Sequence, residues 1–418
     1  MQKRLVAQPR HLLLGAYAAA IEAVEGKACV SRYLQSHPLP DKPVTLLAIG
    51  KAAGSMARGA VEALGERISA GLLVTREGYA VQAGLPDSIR ILEAGHPLPD
   101  GRSLSAGEAV LALLESLSPD ACLLILLSGG SSALVEVLPQ GIELNELVAL
   151  NEWLLGSGLP IRQVNRVRQS VSALKGGRLA QRLRGQAALN LVISDVPGDD
   201  LTLIGSAPFY YAARADEAAL DVPPWIQTMQ QRASRILGPP PVAERQSVEH
   251  HLLATNRQAA EAACRFVQAE GIPAYFHATL LEGEAEEVAA RLVAGLETLP
   301  DGLHVWGGET TVTLPGKPGR GGRNQHLALA AAKELAGRKD ICLLAAGTDG
   351  SDGMSDDCGA LVDGQTLARG EREGLSVEDC LRRADAGSFL HATGDLLTTG
   401  PTGTNVMDLL LVCKSSTA

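Results

Sequence analysis

Short apolar runs alternate along this chain with amphipathic stretches, and the runs end in turns of Gly, Ser, Thr, Asn and Asp. Val44 to Ile49 leads into Gly50-Lys51-Ala52-Ala53-Gly54, and Leu123 to Leu127 into Ser128-Gly129-Gly130-Ser131-Ser132. Leu191 to Ile193 leads into Ser194-Asp195-Val196-Pro197-Gly198-Asp199-Asp200. Later in the chain Val305-Trp306 precedes Gly307-Gly308-Glu309-Thr310-Thr311, and Leu343 to Ala346 precedes Gly347-Thr348-Asp349-Gly350-Ser351-Asp352-Gly353. Leu396-Leu397 opens the run Thr398 to Asn405. In an open α/β sheet, ligands bind beyond the carboxyl ends of the strands. Glycines there let backbone N–H groups approach an anion, and the following helix adds its positive end. The pattern predicts a pocket for a phosphate or a carboxylate.

The periodicity predicts a first helix over 11–35, strand 44–49, helix 52–64, strands 71–75 and 89–93, helix 103–116 and strand 121–127. Helices over 143–155 and 166–184 and a strand over 190–194 come next. Pro223-Pro224 and Pro239-Pro240-Pro241 flank a short amphipathic piece and mark the best domain boundary. Alternation then resumes with strand 251–255, helix 256–269, strand 273–277, helix 283–296, strand 303–306, helix 323–337, strand 340–346 and a closing strand 408–413. The expectation is an α/β protein of two α/β/α domains, 1–238 and 239–418, with mostly parallel sheets and an active-site cleft between them.

Composition agrees with this and removes some functions. A chain of 418 residues, 46% hydrophobic and 20% charged with 45 glycines, suits two soluble α/β domains. Its net charge of -10 and 3% aromatic content argue against nucleic-acid binding. The longest purely apolar run, Ala121 to Leu127, falls far short of the ~20 residues of a membrane span. Lys3, Arg4 and Arg10 ahead of Leu12-Leu13-Leu14 mimic a signal peptide, but Glu22 and Glu25 break the apolar run beyond those leucines, and a helix is expected there instead. Seven scattered cysteines without a Cys-x-x-Cys pair fit a reducing cytoplasm.

Several residues carry candidate chemistry. Lys51, between Gly50 and Gly54 at the mouth of the first strand, opposes the helix dipole unless an anion joins it, which suits a phosphate or transition-state cation. The Ser128, Gly129, Gly130, Ser131, Ser132 loop offers N–H groups and hydroxyls to phosphate oxygens. It is no Walker A motif, and no Gly-x-Gly-x-x-Gly follows the first strand. Arg168, Lys175 and Arg178 fall near one helix face, as a nucleotide-binding face or as an ordinary solvated one. Arg323 stands at a helix start behind paired glycines, where it can fork onto a carboxylate or phosphate. Asp195, Asp199, Asp200, Asp349, Asp352, Asp356 and Asp357 come from two strand-end loops and suit Mg²⁺ or serve as caps and turns. His96 and His326 are isolated and read as structural.

Together these segments resemble the class II glycerate 2-kinase family, whose carboxyl-terminal part is called MOFRL. The resemblance rests on Gly50-Lys51-Ala52-Ala53, Gly95 to Asp100, Leu127 to Ser132, Lys175 to Leu179, Ser194 to Asp199, Gly307 to Val312, Gly321 to Gln325, Gly347 to Gly350 and Thr399 to Asn405, across nearly the whole chain. It departs from the family at Ala207, at His326 and at Met354-Ser355. The resemblance implies a Rossmann-like amino-terminal domain and ATP- and Mg²⁺-dependent phosphorylation of D-glycerate to 2-phosphoglycerate. It also implies that Lys51 and Arg323 are the main active-site cations.

On that basis Lys51 and Arg323 are expected to bind the glycerate carboxylate and neutralise the transferring phosphoryl group. Asp195 is expected as base or metal neighbour. The Ser128 to Ser132 loop and Lys175 are assigned to nucleotide phosphates, Asn324 and Asn405 to substrate, and Asp349 and Asp352 to metal. The partners expected are D-glycerate and ATP, with no nucleic acid and no membrane; a homodimer is left open. The rivals are an NAD(P)H-dependent hydroxypyruvate reductase, with Arg76 beside a cofactor phosphate, and a binding protein for a small hydroxy acid.

Overall fold

In the computed structural model, which describes residues 9–80, 84–211, 220–238 and 248–415, the apolar runs become strands covered by helices. Two units form: Gly26–Leu253 is one, and Met1–Glu25 with Ala254–Ala418 is the other. The helix predicted over 11–35 is two helices, α1 (Pro9–Val24) and α2 (Gly26–Ser36), and the break between them is where the chain leaves one unit for the other. The amino-terminal segment therefore belongs with the carboxyl-terminal unit, whereas the sequence reading joined it to the first domain. The Pro239-Pro240-Pro241 stretch lies outside the described residues.

The first unit continues with β1 (Val44–Ile49), α3 (Ala53–Leu64), β2 (Ile68–Arg76), β3 (Ile89–Ala94), α4 (Gly101–Glu115), β4 (Cys122–Leu127), α5 (Ser131–Leu134) and α6 (Leu144–Gly156). It ends with α7 (Ile161–Ser170), β5 (Ala187–Ile193), α8 (Pro224–Leu237) and β6 (Val248–Ala254). The sheet order is β3-β2-β1-β4-β5-β6, and β1 runs parallel to β2 and to β4. All six residues of β1 and of β4 are buried, as central strands covered on both faces demand. The strand order reverses between β1 and β4, so their carboxyl ends flank the crevice where such folds take ligands. The helix expected over 166–184 stops at Ser170: Ala173 N–H turns to Val137 O, Ser172 Oγ takes the N–H groups of Leu174 and Lys175, and Gly176 and Gly177 then adopt φ of +64° and +83°.

The second unit adds α9 (Asn256–Ala269), β7 (Ala274–Glu284), α10 (Ala285–Gly295), β8 (Gly302–Thr311), α11 (Arg323–Glu334) and β9 (Ile341–Gly347). It closes with β10 (Gly359–Asp363), α12 (Thr366–Arg372), α13 (Val377–Arg382), α14 (Ala386–Thr393), β11 (Leu396–Leu397) and β12 (Asp408–Lys414). Its sheet order is β11-β10-β9-β12-β8-β7. Strands β7, β8, β9 and β11 share one direction, and β10 and β12 are set among them antiparallel. The carboxyl ends of β8 and β9 and the start of β12 consequently lie at one end of this sheet. Helix α1 completes the unit. Its buried stripe of Leu13, Ala16, Tyr17, Ala20 and Val24 follows helical spacing, and Gly15 lets the Phe266 ring of α9 come within 2.8 Å of where a Cβ would be. Arg10 pairs with Asp363 and Asp395 at 2.9 Å each. No helix among the described residues is long and apolar enough to cross a membrane.

Candidate active-site residues

The turn after β1 is folded onto the turn after β4. Gly50 has φ of +131°, and a Cβ on it would stand 2.2 Å from Ser128 Oγ, so only glycine permits the contact. Lys51 N–H donates to Gly129 O at 2.9 Å, and Ala52 N–H donates to Ser128 Oγ at 3.1 Å. This fixes half-buried Lys51 at the crevice. Gly130 supplies the floor: its absent Cβ would meet the His96 ring at 3.1 Å and Lys51 Cγ at 3.3 Å. His96, read as structural from the sequence, is thus delivered beside Lys51 by the end of β3. No acceptor among the described residues takes the N–H of Gly129 or Gly130, which leaves a pair of donors suited to an anion.

Two of the three hydroxyls of this loop are spent on the fold. Ser128 Oγ holds the β1 turn, and Ser132 Oγ meets Ser206 Oγ at 2.9 Å, which in turn donates to Asn165 Oδ1 at 2.7 Å. Ser131 Oγ is buried with no hydrogen-bond partner, against Gly205. Backbone N–H groups rather than hydroxyls are what the loop offers. Lys175, assigned from sequence to nucleotide phosphates, has its ammonium enclosed and paired with Glu136, both side chains under 5% exposed. Burial lowers its pKa, and the Glu136 carboxylate opposes that shift. Asp195 lies half-buried at the end of β5.

In the second unit, Arg323 opens α11 behind Gly322. Its Nε donates to Asp408 Oδ2 at 2.6 Å, and one terminal nitrogen reaches Asp408 Oδ1 at 3.1 Å and Glu309 Oε1 at 2.7 Å. Burial works against the charge, but the attraction of Asp408 and Glu309 outweighs it and raises the pKa. Neither Asp408 nor Glu309 is given a role by the sequence reading; Glu309 stands in the strand-end turn Gly307 to Thr311, and Asp408 shows only as a carboxylate opening an otherwise apolar closing strand. Asp352 accepts from Asn324 N at 3.1 Å and Gln325 N at 2.8 Å, so it caps α11 from a distant loop. Gly322 makes room for it, since a Cβ would lie 2.4 Å from the Asp352 carboxyl. The Asn324 amide, expected on substrate, is turned to Asp352 at 3.3 Å. Asn405 is buried in the loop before β12, and Thr348 laces that loop to the β9 turn.

The two aspartates expected on metal, Asp349 and Asp352, are engaged by donors of the fold. Both Asp352 oxygens accept backbone N–H groups, and Asp349 Oδ1 accepts from Ser351 N and Oγ at 3.0 Å each. Among the described residues no three His, Cys, Asp or Glu side chains gather closely enough to hold a metal ion.

Known proteins match along most of the sequence. A family model described as a domain of unknown function, DUF4147, matches residues 12–237, and the MOFRL family model matches residues 302–408. A D-glycerate 2-kinase of Thermotoga maritima is 39% identical, covering 88% of this chain and 90% of its own. A glycerate 2-kinase of Pyrococcus horikoshii is 35% identical, covering 89% and 88%. The crystal structure of glycerate kinase from Thermotoga maritima superimposes with a TM-score of 0.82 at 35% identity, over 97% of this chain and 99% of that one. An Agrobacterium vitis relative, 37% identical over 96% of this chain and 93% of its own, carries a provisional hydroxypyruvate reductase name. With one model spanning more than half of the chain and relatives this similar along most of its length, the chain belongs to the class II glycerate 2-kinase family, a DUF4147 domain followed by a MOFRL domain.

Proposed function

We propose that this protein transfers the γ-phosphoryl group of ATP to the 2-hydroxyl of D-glycerate, giving 2-phosphoglycerate and ADP. The observation that carries this reading is the similarity, over 88% of the chain, to a D-glycerate 2-kinase. Lys51, seated where β1 and β4 diverge, neutralises charge on the transferring phosphoryl group, and the N–H groups of Gly129 and Gly130 hold nucleotide phosphate oxygens. Arg323 takes the glycerate carboxylate. Asp408, 11% exposed, stays behind it as a fixed partner, whereas Glu309, 39% exposed, is the carboxylate a substrate can displace. Asp195 accepts the hydroxyl proton. Mg²⁺ in this reading would accompany the nucleotide and would offset phosphate charge. Seven buried free thiols support a cytoplasmic setting.

The reductase alternative meets an obstacle at β1. The sheet order is one that dinucleotide-binding proteins use, yet the second and third glycines of the fingerprint are replaced here by Ala52 and Ser55, both buried. The two readings separate in one pair of assays. Purified protein is given D-glycerate, ATP and Mg²⁺ with phosphorus NMR detection, beside hydroxypyruvate with NADH and NADPH. A 2-phosphoglycerate signal that depends on ATP establishes the kinase; nicotinamide oxidation without it overturns the proposal.

A further inference from the structure

The guanidinium of Arg323 is aimed by groups remote from it in sequence. Its partner Asp408 follows Met407, a non-glycine residue at φ of +68°. That conformation costs about 1–2 kcal/mol and persists only where surroundings enforce it. Three carbonyls of this turn are held from two sides. Asn256 Nδ2, at the start of α9, donates to Val406 O at 2.8 Å and to Asp408 O at 2.9 Å. Thr348 Oγ1 donates to Met407 O at 2.6 Å and accepts from Val406 N at 2.8 Å. Asn256 is 3% exposed, and its Oδ1 has no hydrogen-bond partner, so the amide acts through its N–H₂ end. Gly307 leaves the space: a Cβ there would stand 1.5 Å from Asn256 Oδ1.

We infer that Asn256 is a positioning residue for Arg323, bracing the Met407 turn so that the Asp408 carboxylate meets the guanidinium through both of its oxygens. The inference rests on the reading of Arg323 as an active-site cation, and the test separates the two. Full-length Asn256→Ala, Arg323→Ala and the double variant are compared for kcat and KM with D-glycerate, with thermal midpoints measured alongside. Arg323→Ala should lose roughly 100-fold or more in kcat/KM. Asn256→Ala should lose roughly 10-fold alone but under about 2-fold when Arg323 is already absent, because it acts only through that side chain. Losses that multiply in the double variant would overturn the positioning role and leave the Arg323 reading standing. Near-normal turnover by Arg323→Ala would overturn both.

Asp408→Asn guards against a variant that does not fold, since it keeps the turn and its bonds to Asn256 and should show the same dependence on Arg323. A third readout is one that a purely structural role does not move. Added guanidinium ion should partly restore Arg323→Ala, and restoration should fail in Arg323→Ala/Asp408→Asn. Equal restoration in both would overturn the inference.

Discussion

Replacing Lys175 by methionine tests whether its charge serves the fold or the nucleotide. Lys175 and Glu136 are 4% and 3% exposed, and Glu136 also accepts from Ser172 Oγ at 2.5 Å and Val137 N at 3.0 Å. Lys175→Met leaves that carboxylate buried without its counter-ion, which costs about 3–5 kcal/mol. For a unit of this size each kcal/mol moves the thermal midpoint by about 2–4 °C, so a fall of about 6–20 °C is expected in calorimetry. Lys175→Met/Glu136→Gln should recover most of the loss, because the amide keeps both hydrogen bonds and carries no charge. The kcat/KM for ATP of the double variant should stay within about threefold of the parent, as the pair touches no substrate. A Lys175→Met protein as stable as the parent but at least tenfold weaker for ATP would refute the argument and restore Lys175 to the phosphates.

Lys51→Ala should lower kcat by roughly 10²-fold, and a near-normal kcat in that variant removes Lys51 from the proposed chemistry. Gly307→Ala should displace the Asn256 amide and strand two carbonyls at about 1–3 kcal/mol each, read by urea denaturation. In an Asn256→Ala background the same change should cost under about 0.5 kcal/mol; an equal cost in both backgrounds contradicts the packing described. Asp352 has a folded pKa of about 7, above the 3.8 of an ordinary aspartate, so its stabilising contribution is complete below about pH 4 and is lost as pH rises to about 7. Between pH 5 and pH 6 the parent should lose roughly 1.4 kcal/mol relative to Asp352→Asn, and a flat difference would exclude the shift.

Local order was legible where strand and turn chemistry coincide. The six buried residues of β1 and the Gly50 turn could be read directly, because a central strand is continuously apolar and a turn pressed on its neighbour demands glycine. Segments governed by partners distant in the chain could not. Helix 166–184 stops at Ser170 as Ala173 N–H turns to Val137 O, and Gly177 beyond it turns left-handed against Tyr211, contacts that periodicity does not encode. The 359–397 region, with β10, α12, α13, α14 and β11, is too short in each piece to show a period. At the candidate site Lys51 and Arg323 announced themselves as cations beside glycines. The carboxylates that answer to Arg323 and Lys175 lie in other elements, and a single sequence carries no record of which charges meet.

The break between α1 and α2 bears on how this protein is made. Gly26–Leu253 is an insertion within the other unit, and its two ends lie side by side, with the rings of Tyr33 and His251 5.0 Å apart. On the ribosome, α1 emerges ahead of the inserted unit, and its main packing partner, α9, is made only after that unit. At about 5–20 residues per second that interval is on the order of 10–50 s. During it the stripe of Leu13, Ala16, Tyr17 and Ala20 waits for α9 while the inserted unit is synthesised and folds. A helix synthesised ahead of the inserted unit is thus buried only after that unit has been made.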